Sequence, residues 1–217
     1  MNDNRYLTVA LGKGRLAKRA ASLFERIGID ASEVNNKDTR KLIFTDEANR
    51  IRFFLAKVPD VPTYVEYGVA DIGIVGEDTI LEENRNVYEV LDLKFGKCSM
   101  CVCGRPEAKD LLGGPNLIRA ATKYPNIAKD YFHNKLNQGA EIIKLNGSIE
   151  LAPILSLTDV IVDIVETGST LRENGLVVLD KVCDLSARMI VNPVMMQMEH
   201  DRIQKLIRGI KGVSNED

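Results

Sequence analysis

The protein has 217 residues, of which 45% are apolar and 28% are charged. This balance is typical of a folded globular protein and excludes a disordered, collagen-like or membrane-embedded chain. With 29 Lys and Arg against 31 Asp and Glu, the formal net charge is −2, so no global basic field is present to bind nucleic acid. No apolar run approaches the roughly 20 residues that span a bilayer, and the polar start lacks a signal-peptide core. We therefore expect a cytoplasmic protein with no membrane or nucleic-acid partner.

Strand-like and helix-like periods alternate in the first half of the chain. A predicted strand at residues 6–11 is followed by the loop Gly12-Lys13-Gly14-Arg15. An apolar stripe at helical spacing then runs from Leu16 to Ile27, and Gly28 ends the predicted helix. The other strands of this half are predicted at residues 41–45, 51–57, 70–76 and 87–94.

The pattern restarts at about residue 96. Strands are predicted at residues 98–103, 117–122, 141–145, 159–165, 176–182 and 187–191. Helices are predicted to begin at Asn126 and at Ser148, and a last helix carries Ile203, Leu206 and Ile210. Alternating β and α units favour largely parallel sheets, and 217 residues suffice for two compact lobes. We therefore expect two α/β lobes, with the ligand in a cleft between them.

The cysteine pattern Cys98-x-x-Cys101-x-Cys103 superficially resembles a metal knuckle. The surrounding residues alternate as a strand does, which would place Cys98 on the face opposite Cys101 and Cys103. A second ligand pair at zinc spacing is missing, and the two histidines lie far away in sequence. We interpret the cysteines as buried thiols and assign no metal ligands to the protein.

The loop at residues 12–17 matches the G-x-G-x-x-A form of a dinucleotide-binding turn. On its own this match is weak, because the acidic residue should end the next strand, whereas Asp30, at roughly the right distance, follows the helix-ending Gly28. Lys13 and Arg15 instead favour side-chain contact with a phosphate or pyrophosphate, to which Arg40 would add a second guanidinium. A basic turn that only faces solvent is the alternative.

The strongest local signal lies at residues 159–171, where a buried strand runs into a Gly- and hydroxyl-rich turn that opens a helix. Free backbone amides, the positive helix end and three hydroxyls would converge on one anion. The hydroxyls belong to Thr167, Ser169 and Thr170, which flank or follow Gly168. Asp163 and Glu166 would accept hydrogen bonds from the two hydroxyls of a ribose attached to that phosphate. The alternative is a capped helix with ordinary solvated carboxylates.

A third loop follows the predicted strand at residues 117–122. It delivers a hydroxyl from Thr122, an ammonium from Lys123 and an aromatic ring from Tyr124 to the start of a helix. Ligands of open α/β sheets bind at the carboxyl ends of the strands, so these three residues are weaker candidates for the same site.

Residues 146–153, NGSIELAP, and residues 163–171, DIVETGSTL, resemble the signature of the ATP phosphoribosyltransferase family. Further matches to this family extend over nearly the whole chain, at residues 12–15, 40–44, 60–62, 70–78 and 121–125. The resemblance implies a type II periplasmic-binding-protein-like α/β fold with two lobes and a cleft between them. The first lobe would comprise residues 1–95 and 181–217, and the second residues 96–180, including the phosphoribosyl-binding loop.

The resemblance implies that the chain transfers the 5-phosphoribosyl group of phosphoribosyl pyrophosphate to N1 of ATP and releases pyrophosphate. This reaction is the first step of histidine biosynthesis, with Mg²⁺ coordinated largely by the substrate. Together with the loop chemistry it assigns Lys13, Arg15 and Arg40 to the departing pyrophosphate and residues 166–170 to the 5-phosphate. Asp163 and Glu166 would lie near the ribose hydroxyls.

By the same resemblance, the length fits the short form of the family, which lacks an appended regulatory domain. A homodimer would then assemble with a regulatory subunit similar to histidyl-tRNA synthetase into a hetero-octamer. Two other classes stay open at this stage: a solute-binding module, since hinged α/β lobes also capture small anions, and a nicotinamide-dependent enzyme that uses the Gly12 loop.

Overall fold

The computed structural model describes residues 5–36 and 41–214, and the chain folds into two α/β units. The first unit contains the described residues up to Gly96 and those from Ser186 onward, and the second contains Lys97–Leu185. The second boundary thus lies after Leu185 rather than after residue 180. The reason is that the strand Val177–Leu185 pairs along its length with Cys98–Gly104 of the second unit.

The strands predicted from the sequence are confirmed to within three residues at each end. They are β1 Leu7–Gly12, β2 Ile43–Asp46, β3 Ile51–Ala56, β4 Ile72–Gly76, β5 Tyr88–Asp92, β6 Cys98–Gly104, β7 Ile118–Thr122, β8 Ala140–Lys144, β9 Val160–Val165, β10 Val177–Leu185 and β11 Ala187–Val191. The helices are α1 Arg15–Arg26, α2 Val61–Glu66, α3 Glu77–Glu83, α4 Pro125–Asp130, α5 Leu151–Ile154, α6 Ser169–Glu173, α7 Pro193–Met198 and α8 His200–Ser214. In the described residues no helix is long and apolar enough to cross a bilayer.

The sheet of the first unit has the strand order β2-β3-β1-β4-β11-β5. Strand β1 is parallel to β3 and β4, whereas the pairs β2·β3, β4·β11 and β11·β5 are antiparallel. The sheet of the second unit, β10-β6-β9-β7-β8, is also mixed. The prediction of largely parallel sheets was therefore wrong, since a short turn joins β2 to β3 and the late strands β10 and β11 run against their neighbours.

Helix α1 is amphipathic and covers one face of the first sheet. Its buried side chains include Ala20, Leu23 and Phe24, and the Phe24 ring packs edge-on against Phe53 of β3 at 5.0 Å between centroids. Side chains of α8 enter the same core, so the end of the chain completes the first unit. Strand β11 lies between β4 and β5, within the sheet rather than at its edge.

The core of the second unit lies on both faces of its sheet. Met100 and Val102 belong to one apolar cluster, while Cys101 and Cys103 belong to another. Cys98 packs against the first of these clusters, which confirms the predicted alternation along this strand. Burial raises the pKa of the Cys103 thiol to about 12, so this side chain is protonated at neutral pH.

The parallel strands bring the predicted loops to common sheet edges. In the first unit β3, β1 and β4 are adjacent and parallel, and in the second unit β9, β7 and β8 are. Because carboxyl ends of parallel strands share one edge, the Gly12 loop lies at such an edge in the first unit. The loops that follow β7 and β9 lie at the corresponding edge in the second unit.

A cluster of charged residues at the start of β11 should make the first unit sensitive to acid. Burial alone would raise the pKa of Asp92, but bonds from Lys94 and Ser186 and the charge of Arg188 outweigh it and hold the pKa at about 2. This contribution is present above the unfolded pKa near 4 and is lost as the pH falls through 2. We expect Asp92→Asn to lower the free energy of unfolding at pH 7 by about 2 kcal/mol. Urea unfolding should show that difference shrinking between pH 4 and pH 2, and a pH-independent difference would contradict the assignment.

Candidate active site

A pocket of about 240 Å³ lies at the end of β9 in the second unit. It brings together the carboxylates of Asp163 and Glu166 with the hydroxyl-rich loop that was predicted to bind phosphate. The lining residues are Glu150, Asp163, Ile164, Val165, Glu166, Thr167, Gly168, Ser169, Thr170 and Leu171. The arrangement can present carboxylate oxygens, backbone amides and hydroxyls to one polar ligand.

The loop itself is held by short-range bonds. Gly168 has φ 70° and ψ 11°, a left-handed conformation that glycine adopts without steric cost. The Thr167 and Ser169 hydroxyl oxygens are 3.1 Å apart, and Asn174 Nδ2 donates to the Thr170 carbonyl at 2.8 Å. Because α6 has only five residues, its dipole is small, and the amides and hydroxyls of the loop carry the case for anion binding.

Asp163 occupies an unusual electrostatic position for a carboxylate. Burial raises its pKa, and the nearby charge of Glu150 raises it further, while a bond from the Ile164 amide and the charge of Lys123 lower it. The Ile164 nitrogen is 2.8 Å from Asp163 Oδ1. The pocket therefore contains a carboxyl whose charge is costly until cations or hydroxyl donors surround it.

The loop after β7 supplies one side chain to this neighbourhood. Lys123 is exposed, acts electrostatically on Asp163, and places Nζ 5.9 Å from the centroid of the Tyr124 ring. Thr122, by contrast, is fully buried: its hydroxyl donates to the Val162 carbonyl at 2.7 Å and accepts from the Tyr124 amide at 2.8 Å. Both hydrogen bonds hold the Thr122 hydroxyl within the turn, and the substrate contact considered from the sequence stays a prediction.

The basic loop of the first unit depends on two glycines. Gly14 has φ 125° and ψ −155°, a region open essentially only to glycine. A Cβ on Gly12 would lie 2.8 Å from a Val58 methyl. Lys13 and Arg15 are both exposed on either side of Gly14, and Arg15 begins α1. Arg40 lies outside the described residues.

Two neighbours of these loops were not singled out from the sequence. Glu150 lines the pocket, and its charge raises the pKa of Asp163. In the sequence, it could have been found by its place within the run at residues 146–153. Lys57 follows β3 and is exposed, next to Ala56, whose carbonyl accepts from the Lys13 amide at 2.9 Å. The sequence signal for Lys57 was a cation placed directly after a strand.

The side chains of the pocket fit a metal ion that is held mainly by the substrate. In residues 5–36 and 41–214, no three His, Cys, Asp or Glu side chains form a group that could hold a metal ion. Mg²⁺ commonly uses only one or two carboxylates together with substrate phosphates and water. The carboxylates that line the pocket fit that mode of binding.

Comparison with protein families identifies the chain. A family model described as ATP phosphoribosyltransferase matches residues 57–212. A relative of that name from Lachnoclostridium phytofermentans is 64% identical over 212 residues, which cover 98% of this chain and 99% of the relative. Another, from Lachnospira eligens, is 66% identical over 207 residues, covering 95% of this chain and 96% of the relative.

Solved structures agree with the sequence comparison. A structure described as the ATP phosphoribosyl transferase (HisG:HisZ) complex from Thermotoga maritima matches with a TM-score of 0.81 and 31% identity, covering 97% of this chain and 100% of that one. The Bordetella pertussis BvgS VFT2 domain matches with a TM-score of 0.59 and 12% identity, covering 97% and 88%. The second likeness concerns the fold alone and confirms the periplasmic-binding-protein-like fold class. The chain therefore belongs to the ATP phosphoribosyltransferase family, pentosyltransferases that catalyse the first step of histidine biosynthesis.

Proposed function

We propose that the loop at residues 166–170 binds the 5-phosphate of phosphoribosyl pyrophosphate, and that Asp163 and Glu166 contact the ribose hydroxyls. The observation that carries this proposal is that the residues of this loop line one pocket together with Asp163. A ribose carrying a phosphate needs hydroxyl acceptors at one end and N–H and O–H donors at the other. The pocket provides both within about 240 Å³.

We infer that the reaction is a displacement at the anomeric carbon with inversion. The N1 lone pair of the ATP adenine forms the new bond to carbon, while the bond to the pyrophosphate oxygen breaks and its electron pair leaves with pyrophosphate. Positive charge develops on the ribose and negative charge on the leaving group, so electrostatic stabilisation dominates. Lys13, Arg15 and Arg40 neutralise the pyrophosphate in this proposal, and no covalent nucleophile is required. Lys123 and Tyr124 contribute beside the phosphoribosyl loop of the second unit.

A metal ion is required across this family, and we infer that it is Mg²⁺, held mostly by oxygens of the substrate. When bound, it supplies positive charge that stabilises the departing pyrophosphate. The pocket carboxylates Asp163 and Glu166 would contribute at most one or two ligands and would otherwise orient the ribose.

We further propose that the chain is the catalytic subunit of the short form and forms a homodimer within a hetero-octamer. The support is the likeness to a protein solved as a HisG:HisZ complex. The partner would be a HisZ-like subunit related to histidyl-tRNA synthetase, and we place the reaction in the cytoplasm, where ATP is available. Light scattering of the purified chain, alone and mixed with such a subunit, tests the stoichiometry.

The activity is tested by incubating the chain with ATP, phosphoribosyl pyrophosphate and Mg²⁺, with and without the regulatory subunit. Pyrophosphate release and a matching change in adenine absorbance are expected, and both should require both substrates. Pyrophosphate release without ATP would indicate hydrolysis instead. A lack of turnover in the presence of the regulatory subunit would contradict the proposal.

Arg15→Ala should depress turnover at least ~10-fold, because an active-site charge on the leaving group is worth over ~1.4 kcal/mol. Steady-state kinetics at saturating ATP measure this effect. Lys18→Ala is the matched control, since Lys18 is an exposed cation one turn further along α1. Equal rates for the two variants would contradict the proposed role of Arg15 in stabilising the departing pyrophosphate.

A further inference from the structure

The side chain of Arg172 reaches from α6 back to the loop that precedes this helix. Its Nη1 donates to the Thr167 carbonyl at 3.0 Å, and the Arg172 amide donates to the Gly168 carbonyl at 3.1 Å. Arg172 is exposed and is not among the residues that line the pocket in the described chain. The guanidinium therefore acts on the backbone of the loop rather than from within the pocket.

The bond to the Thr167 carbonyl fixes the direction of the next amide. In a trans peptide the C=O of one residue and the N–H of the following residue point in opposite directions, and the described peptides are all trans. Since the Thr167 oxygen points to Arg172, the Gly168 N–H points to the other side of the loop. Without the guanidinium, this peptide plane would be free to rotate about Gly168, the most permissive residue of the loop.

The same bond also has an electrostatic consequence. A carbonyl oxygen carries partial negative charge and would repel a phosphate bound beside it, unless a hydrogen-bond donor binds that oxygen. A guanidinium on that oxygen offsets its charge and adds a positive charge close to the loop. The orientation of the Gly168 N–H and the added positive charge thus both favour phosphate binding.

We propose that Arg172 is a positioning residue for phosphoribosyl pyrophosphate: it orients the Thr167–Gly168 peptide for the 5-phosphate without touching the substrate. This inference rests on the proposed function of the loop. A guanidinium that merely ties down exposed backbone would contribute to folding but would not discriminate among ligands. The chain contains such a comparison, because Arg105 Nη2 donates to the Ile154 carbonyl at 3.2 Å in the same unit and is also exposed.

The experiment compares Arg172→Ala, Arg172→Lys and Arg105→Ala, each assembled with the regulatory subunit as in the wild-type assay. We expect Arg172→Ala to raise the KM for phosphoribosyl pyrophosphate at least ~10-fold, as lost hydrogen bonds to charged groups do. The KM for ATP should change less than about threefold, and Arg172→Lys should recover part of the loss. Arg105→Ala should remain within about twofold of wild type in every constant.

Two inhibitors locate the effect within the substrate. Ribose 5-phosphate carries the 5-phosphate and hydroxyls only, whereas inorganic pyrophosphate mimics the leaving group. Arg172→Ala should weaken inhibition by ribose 5-phosphate at least ~10-fold and leave inhibition by pyrophosphate within about twofold.

An unchanged KM for phosphoribosyl pyrophosphate, or equal weakening of both inhibitors, would overturn the inference. So would a fall in melting temperature that accompanies equal losses in all constants, since that indicates a purely structural role. A wild-type complex with no turnover would instead contradict the proposed function, so the two failures are distinguishable.

Discussion

Gly168→Ala should weaken the binding of phosphoribosyl pyrophosphate at least ~10-fold while leaving the second unit folded. The φ of +70° at this position is strained for any residue with a side chain, and the new Cβ would lie 3.3 Å from Arg172 Nη1. That strain costs about 1–2 kcal/mol. The backbone would relieve it by rotating the peptides on either side of residue 168. The amides that are proposed to meet the 5-phosphate would then lose their common direction.

Isothermal titration calorimetry with phosphoribosyl pyrophosphate measures this loss, and thermal melting reports the fold. Gly113→Ala is a closely matched control, because Gly113 lies in the same unit at φ +72° with nothing within 4 Å of the added Cβ. Both variants carry the same backbone strain, so similar melting temperatures are expected. If the two variants bind phosphoribosyl pyrophosphate equally well, the loop is not the phosphate site.

Asp71→Asn should be among the most destabilising conservative changes in the first unit. The Asp71 side chain is fully buried, and its Oδ1 accepts from Arg5 Nη2 at 2.6 Å while Oδ2 accepts from the Thr8 amide at 2.7 Å. Removing one partner of a buried ion pair costs about 3–5 kcal/mol, and the lower end applies here because the Arg5 side chain is 35% exposed. An amide group would also place an N–H against one of these two donors.

We expect the free energy of unfolding to fall by about 3 kcal/mol, which corresponds to a decrease of roughly 6–12 °C in melting temperature for a chain of this size. Urea unfolding followed by circular dichroism measures the effect. Asp201→Asn, at an exposed position in the first turn of α8, should cost less than about 1 kcal/mol. A loss from Asp71→Asn no larger than this control would show that the pair of Arg5 with the buried Asp71 contributes little.

Much of the fold could be predicted because its signals are local. The alternation of Cys98, Cys101 and Cys103 and the run from β9 into Gly168 each depend on a few neighbouring residues. Strand direction was not predictable in the same way. It depends on the path of the chain between strands, and β11 shares its sheet with partners more than 90 residues earlier in the sequence.

The candidate site shows the same division. Asp163, Glu166 and the loop hydroxyls are close in sequence, and the structure places them in one pocket. Glu150, the residue that precedes α5, also lines that pocket, and the buried Thr122 hydroxyl donates to the Val162 carbonyl, so both positions depend on tertiary packing. Family membership decides against the solute-binding and nicotinamide alternatives, which the basic Gly12 loop alone left open.

The position of β11 between β4 and β5 affects the order in which the two units fold during synthesis. The second unit is one continuous stretch, Lys97–Leu185, so all of its strands have left the ribosome before β11 does. The first unit begins earlier but has a gap in its sheet until Ala187–Val191 emerges, and β5 has no partner before then. Domains usually fold in order from the N-terminus during synthesis. Here the order should be reversed, with the later unit folding first and the earlier one exposed to aggregation until the chain is nearly complete.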